Sequence, residues 1–282
     1  MKKQIEFTKL VAAGNDFVLI DNRFSGLSRA DLASLAKRMC DRKFGSGADG
    51  LLAVERSVNA DFKMRIMNSD GSEAEMCGNG SRCFALYCAR LQRKAVADLR
   101  IETLAGMIYA RVDKEQVKVN LTAPGDIRLD IPVRINNRTL RVNYINTGVP
   151  HAVIFVSGLS SMEIVDLGRQ IRYHKSFAPK GTNVDFVEVT GDRSVNIRTY
   201  ERGVEDETLA CGTGSVASAL ISRLKLERPR AIMSPGASQK MFKVLTRGGE
   251  VLKIYSVLKG NVFSDVWLEG KAAIVYKGVW YV

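Results

Sequence analysis

Alternating apolar and polar residues recur along most of this chain, separated by short turns. Side chains of a β-strand point alternately to its two faces, so a period of two predicts strands. The predicted strands span residues 5–10, 17–21, 62–67, 99–103, 116–121, 183–189, 195–200, 240–245, 251–257 and 261–268. We therefore expect a structure made mainly of sheet.

Helical periodicity is confined to a few segments, at residues 28–39, 80–91, 162–173 and 214–224. The first has Ser28 at the position of a helix N-cap and an acidic residue in its first turn. Two of the others follow directly after a short motif that contains cysteine and glycine. Few helices among many strands predict an α+β fold in which each sheet wraps around a central helix.

The motif at residues 77–81, Cys-Gly-Asn-Gly-Ser, recurs at residues 211–215 as Cys-Gly-Thr-Gly-Ser. Further upstream, Asn15-Asp-Phe-Val resembles Asn183-Val-Asp-Phe-Val, which we interpret as part of the same repeat. The repetition indicates two similar halves. If they face each other across a cleft, both cysteines belong to one central site.

Each repeated motif places a cysteine just before a predicted helix. The first N–H groups of a helix have no intrahelical acceptor, and their partial positive charge attracts a carboxylate. The same charge favours a thiolate, so we expect the pKa of a cysteine at this position to fall. Two such thiols suit proton transfer at a carbon next to a carboxylate, with removal on one face and return on the other. The alternative is that both cysteines are small buried residues at glycine-rich turns.

The other cysteines indicate packing. Cys40, Cys83 and Cys88 lie in apolar helical segments and are predicted to be core residues. They lack Cys-x-x-Cys spacing and only two histidines accompany them, so no metal site is predicted. Residues 45–50 match the letters G-x-G-x-x-G but precede a strand, which argues against dinucleotide binding.

Length and charge narrow the functional classes. The 282 residues are enough for two domains, and 46% of them are hydrophobic, as in ordinary globular proteins. The net charge of +12 attracts anions, but the basic residues are spread along the chain. A solvated basic surface is therefore favoured over nucleic-acid binding. No apolar run has the length of a membrane span or a signal peptide, and the odd number of cysteines fits a reducing compartment, so we expect a cytoplasmic protein.

The sequence resembles the diaminopimelate epimerases, a family of amino-acid epimerases that work without pyridoxal phosphate. The resemblance rests on GNDFVLID (14–21), CDRKFGSGADGLL (40–52), MNSDGSEAEMCGNGSRC (67–83), NTGVPHAV (146–153), GTNVDFVEV (181–189) and YERGVEDETLACGTGS (200–215). It implies cofactor-free epimerisation of LL-2,6-diaminopimelate to meso-diaminopimelate, in lysine and peptidoglycan synthesis. The implied fold is a pair of similar domains, each a mainly antiparallel sheet around a central helix. A pseudo-two-fold axis would relate them, with the site in the cleft between.

On this resemblance, residues 1–122 with 272–282 form the N-terminal half, and residues 123–271 form the C-terminal half. Cys77 and Cys211 are implied to be the catalytic pair, and His151 either orients the site or satisfies a buried polar network. A homodimer is also implied. Two alternatives stay open: an epimerase for another amino acid of the same superfamily, and a redox protein in which the two cysteines form a switchable disulfide.

The resemblance also implies individual binding residues. Asn15, Asn68 and Asn183 are expected to contact the distal end of the substrate. Glu201 is expected to hold the reacting ammonium group, and Arg202 the distal carboxylate through paired hydrogen bonds. The reacting carboxylate is expected to accept from the residues at the two helix starts, Gly78, Asn79, Gly212 and Thr213.

Overall fold

Two units divide the chain: unit 1 is Met1–Asn120 with Glu269–Val282, and unit 2 is Leu121–Leu268. The computed structural model describes residues 4–231 and 239–282, with only the backbone described at 227–231. In both units a sheet of many strands is accompanied by few helices, which confirms the α+β class. Among the residues that the model describes, no helix is both long enough and apolar enough to cross a bilayer.

Unit 1 holds two helices, α1 (Arg29–Met39) and α2 (Gly78–Leu91). Its strands are β1 (Gln4–Ala12), β2 (Asn15–Asp21), β3 (Gly50–Glu55), β4 (Phe62–Asn68), β5 (Glu73–Ala74), β6 (Val96–Thr103), β7 (Gly106–Asp113), β8 (Gln116–Asn120) and β18 (Ala273–Tyr281). The sheet runs β18-β1-β2-β3-β4-β6-β7-β8, with β5 paired to β4. Pairing is antiparallel except at β2–β3 and β4–β6. Helix α2 packs against eight of these strands, so it forms the centre of the unit.

The described residues of unit 2 form two α-helices, α3 (Val165–Arg172) and α4 (Gly212–Ala231), and two short 3-10 helices, Leu159–Ser161 and Lys175–Phe177. Its strands are β9 (Gly125–Ile135), β10 (Arg138–Asn146), β11 (Pro150–Phe155), β12 (Asn183–Gly191), β13 (Ser194–Glu201), β14 (Asp206–Thr208), β15 (Gln239–Leu245), β16 (Val251–Lys259) and β17 (Val262–Lys271), the last of which extends past the end of the unit. The described pairings run β9-β10-β11-β12-β13-β15-β16, with β14 on β13. Only β11–β12 and β13–β15 are parallel, and α4 packs against β10 to β13, β15 and β16.

The two units have the same order of strand pairing. The order β18-β1-β2-β3-β4-β6-β7 in unit 1 corresponds to β9-β10-β11-β12-β13-β15-β16 in unit 2. In each unit a helix, α1 or α3, lies in the connection between the first two parallel strands, because parallel neighbours need a crossover. The correspondence places β2 with β11 and β3 with β12. Asn15 begins β2 whereas Asn183 begins β12, so these two asparagines lie on non-equivalent strands. The interpretation of their flanking sequences as part of the repeat is therefore wrong.

Local predictions of helices succeeded where caps were visible. Ser28 caps α1 in a reciprocal arrangement with Asp31, as its position predicted. Helices α2 and α4 each begin two residues earlier than predicted, directly after the cysteine, and α3 is shorter than predicted. Cys40, Cys83 and Cys88 are buried, which confirms their assignment to the core.

Candidate active site

Cys77 is the N-cap of α2. Its backbone is extended (φ −147°, ψ 116°), and its sulfur accepts the N–H of Gly80 at 3.4 Å. Its carbonyl accepts the N–H of Ser81 at 2.8 Å. The thiol thus occupies the place of the usual serine, threonine or aspartate cap. In the described part of the chain, the amides of Gly78 and Asn79 are left available to a ligand at this helix start.

The side chain of Asn15 faces the Cys77 thiol, with its Oδ1 3.8 Å from the sulfur. Its Nδ2 donates to Asp49 Oδ2 at 2.6 Å. Arg42 in turn donates to Asp49 at 2.7 Å and to Asp16 at 2.8 Å. Because a carboxylate can only accept, Asp49 fixes the amide with its oxygen toward the thiol.

Two further asparagines of unit 1 have different settings. Asn68 ends β4, is exposed, and donates from Nδ2 to Ser72 Oγ at 2.9 Å within a turn. Asn79 lies in the first turn of α2 and is 5% exposed. Its Oδ1 has no hydrogen-bond partner among the residues the structure describes. A buried acceptor at a helix start is available to a donor on a ligand.

Cys211 repeats this arrangement at the start of α4. Its sulfur accepts the N–H of Gly214 at 3.4 Å, and the hydroxyl of Ser215 donates to its carbonyl at 2.9 Å. The thiol also lies 3.4 Å from Thr213 Oγ1. The amides of Gly212 and Thr213 are left available, in the described residues, as in the first repeat.

The two thiols differ in exposure: Cys77 is half-buried, whereas Cys211 is 6% exposed. Burial raises the pKa of Cys211 well above its ordinary value, and the nearby charges of Glu201 and Asp185 raise it further. The hydrogen bond shared with the Thr213 hydroxyl and the one from the Gly214 amide act in the opposite direction on this pKa but are outweighed. The expectation of a lowered pKa is therefore wrong for Cys211, because desolvation exceeds the effect of the helix start.

His151, for which a buried polar network was one of two expected roles, lies in such a network beneath Cys211, with partners that the sequence did not identify. His151 Nδ1 is 2.7 Å from Asp185 Oδ2, and both side chains are 0% exposed. His151 Nε2 is 3.0 Å from Thr213 Oγ1, while Thr199 Oγ1 donates to Asp185 Oδ1 at 2.7 Å. The available signal was an aspartate inside the otherwise apolar strand β12, since a buried carboxylate requires partners.

The turn after β13 carries the remaining expected residues. Asn183 Nδ2 donates to the carbonyl of Pro150 at 3.0 Å, and its Oδ1 accepts the backbone N–H of Arg202 at 2.8 Å. Asn183 thus connects the carbonyl of Pro150 to the turn that carries Arg202, with one N–H of its amide still available among the described residues. The Arg202 side chain makes one long hydrogen bond, 3.4 Å, to a backbone carbonyl. Glu201, the last residue of β13, lies close enough to Cys211 to affect its pKa.

Solved structures define the class of this fold. It is shared with a PhzF-family phenazine biosynthesis protein of Bacillus anthracis (TM-score 0.76, 17% identity, 99% of this chain and 100% of that one). It is also shared with a hydroxyproline epimerase of Agrobacterium vitis (TM-score 0.71, 15% identity, 99% of this chain and 91% of that one). Identities this low show the fold alone, a two-domain α+β architecture.

Sequence comparison is more specific. The family model for diaminopimelate epimerase matches residues 7–125 and 143–265. The diaminopimelate epimerase of Archaeoglobus fulgidus is 42% identical, over 98% of this chain and 96% of the relative. That of Aquifex aeolicus is 41% identical, over 97% of both chains. This chain belongs to the diaminopimelate epimerase family.

Proposed function

We propose that this protein epimerises LL-2,6-diaminopimelate to meso-diaminopimelate, with Cys77 and Cys211 as its two acid–base groups. Family membership over nearly the whole chain supports the substrate. The observation that carries the mechanism is the duplicated helix cap. In both repeats a cysteine sulfur accepts the N–H of the third helical residue, beside amides left for a ligand.

Inversion at the α-carbon needs one group that removes a proton and a second that supplies one to the opposite face. The α-hydrogen next to a carboxylate is very weakly acidic, so the negative charge that develops must be stabilised. The free amides of Gly78, Asn79, Gly212 and Thr213 are suited to that charge. One sulfur acts as a thiolate base while the other donates its proton, and the roles exchange in the reverse reaction.

The other end of the substrate provides the specificity. Arg202 binds the distal carboxylate, for which its guanidinium is suited because it can donate two parallel hydrogen bonds. Asn15, Asn68 and Asn183 contact the distal polar groups, and Asn183 also holds the turn that carries Arg202. Glu201 holds the reacting ammonium group.

The catalytic pair is tested with C77A and C211A. Each variant should lose at least about a hundredfold in kcat for LL-diaminopimelate, since a missing acid or base removes a factor of about 10² to 10⁴. C88A is the matched control, because Cys88 is buried further along α2, and it should retain activity. Near-normal activity in C77A or C211A would contradict the mechanism.

The substrate is tested by comparing LL-diaminopimelate with proline and with monocarboxylate amino acids. Because proline has no second carboxylate to pair with Arg202, its kcat/KM should be far lower. An epimerase for another amino acid would show the reverse order. A redox protein would show no epimerisation and would form a Cys77–Cys211 disulfide with oxidant.

Two further parts of the proposal are a homodimer, which the family resemblance implies, and a cytoplasmic location, which the odd number of cysteines favours. Light scattering should give twice the 31.1 kDa chain mass. A monomer mass at micromolar concentration would contradict the dimer. Cell fractionation tests the location.

A further inference from the structure

The two repeats differ in what lies beneath the helix start. In the parallel ladders Phe17 is paired with Gly50, and His151 is paired with Asn183. Two residues further along the second strand of each pair stand Leu52 and Asp185. A Cβ on Gly80 would contact Leu52 and Phe17, whereas one on Gly214 would meet Asp185. Beneath its helix start the first repeat thus has the apolar residues Phe17 and Leu52, whereas the second has the buried pair His151 and Asp185 in the equivalent positions.

We propose that Asp185 is a positioning residue that fixes the direction of the hydrogen bonds from His151 through Thr213 to Cys211, and thereby keeps Cys211 protonated in the resting protein. This inference rests on the proposed function, because the proton kept on Cys211 is the one that Cys211 would donate to the substrate. The proposal therefore makes Cys211, in the second repeat, the cysteine that is a neutral thiol before substrate binds.

The direction follows from counting hydrogens. The Asp185 carboxylate only accepts, from Thr199 at one oxygen and from His151 Nδ1 at the other. A neutral imidazole with its proton on Nδ1 has a lone pair on Nε2, so the Thr213 hydroxyl donates there, across 3.0 Å. That hydroxyl has one hydrogen. Toward Cys211, 3.4 Å away, it can therefore only accept, and the S–H is the donor.

The charges around Cys211 act in the same direction. Asp185 on β12 and Glu201 on β13 both disfavour a second negative charge on this sulfur. Cys77, by comparison, is half-buried, and its thiol lies 3.8 Å from Asn15 Oδ1. The site is thus asymmetric although its scaffold is duplicated.

Imidazole ¹⁵N NMR tests the first step directly, since the chain has only two histidines, His151 and His174. His174 Nδ1 accepts the N–H of Ser176 at 3.2 Å, so this ring has its proton on Nε2 and serves as an internal reference. H174Q assigns the signals. His151 should show the opposite tautomer, with its proton on Nδ1. A proton on Nε2, or on both nitrogens, would overturn the proposal.

The second step is tested with D185N, which removes the charge and places a donor opposite His151 Nδ1. The tautomer should reverse, and the thiol of Cys211 should titrate at lower pH. In a C77S background, alkylation of Cys211 by iodoacetamide, followed by peptide mass spectrometry, should accelerate about tenfold for each pKa unit lost. An unchanged tautomer and alkylation profile in D185N would refute the role of Asp185.

T199V is the matched control for loosening of the buried network. It removes one hydrogen bond to Asp185 but keeps the carboxylate and its contact with His151. Its tautomer and alkylation profile should match the parent, and an equal acceleration in T199V would overturn the proposal. The NMR and alkylation measurements are made without diaminopimelate. They therefore test the role of Asp185 separately from the epimerase activity, which the kinetic assays test.

Discussion

Adding one methyl group at equivalent positions of the two repeats should destabilise the second repeat more than the first. Gly80 and Gly214 are the third residues of α2 and α4, and each donates its N–H to the capping sulfur. A Cβ at Gly80 would lie 3.3 Å from Leu52 and 3.4 Å from Phe17 and Cys77. A Cβ at Gly214 would overlap Asp185 Oδ1 and lie 3.2 Å from its Cγ.

The expected magnitudes follow from these contacts. Replacing glycine by alanine in a helix favours folding by about 0.5–1 kcal/mol, mainly because the unfolded chain loses freedom. The neighbours of Gly80 can shift by a few tenths of an ångström, so the unfolding free energy of G80A should change by less than about 1 kcal/mol. In G214A the carboxylate must move away from Thr199 or His151, and a hydrogen bond to a charged group contributes about 1.5–3 kcal/mol. G214A should therefore be less stable than G80A by about 2 kcal/mol.

Urea unfolding measures this difference, and the chain offers a reporter in each unit. Trp280 lies in unit 1 and Trp267 in unit 2, and they are the only tryptophans. Following each variant in W267F and W280F backgrounds separates the two units. Equal midpoints for G80A and G214A would refute the close approach of Asp185 to the second helix start.

Three further changes test separate parts of the account. S28A removes the cap of α1 and should lower the unfolding free energy by about 1 kcal/mol, measured by urea denaturation. Burial alone would raise the pKa of Asp16, but hydrogen bonds from Arg42 and Lys9 outweigh it and lower the pKa from 3.8 to about 2. The Asp16 carboxylate therefore stabilises the fold above pH 3.8, and this contribution is lost as the pH falls toward 2. K9M should make the unfolding free energy depend less on pH in this range, as measured by acid titration followed by circular dichroism. R202K keeps the charge but not the paired donors, so KM for LL-diaminopimelate should rise about tenfold to a hundredfold in steady-state kinetics. An unchanged KM would show that Arg202 does not bind the substrate.

The sequence was most informative where a signal is local. The cap at Ser28 and the two cysteine–glycine motifs marked helix starts to within two residues, because capping depends on neighbours in the chain. Strand β18 was missed because its burial pattern is mostly exposed and its apolar residues do not alternate regularly. Strand β9 was missed as well, because residues 125–135 include Gly125 and Pro132, which are typical of turns.

The partner of His151 in the polar network beneath Cys211 could not be identified because the contact depends on a parallel pairing between distant segments. His151 and Asp185 meet only when β11 lies beside β12 in a particular register. The similar flanks of Asn15 and Asn183 were misleading for the same reason, since the strands they begin occupy different places in the sheets. The hydrogen bond between Asn183 and the Arg202 turn was likewise not predicted, because it joins residues 19 positions apart.

The most direct test of the two-base mechanism follows the isotope during the first few per cent of turnover of LL-diaminopimelate in D₂O. Removal by one thiol and donation by the other predicts meso product with solvent deuterium at the inverted α-carbon, while the remaining LL substrate carries none. Deuterium appearing equally in substrate and product from the start, or product that retains the original hydrogen, would show that a single base serves both faces.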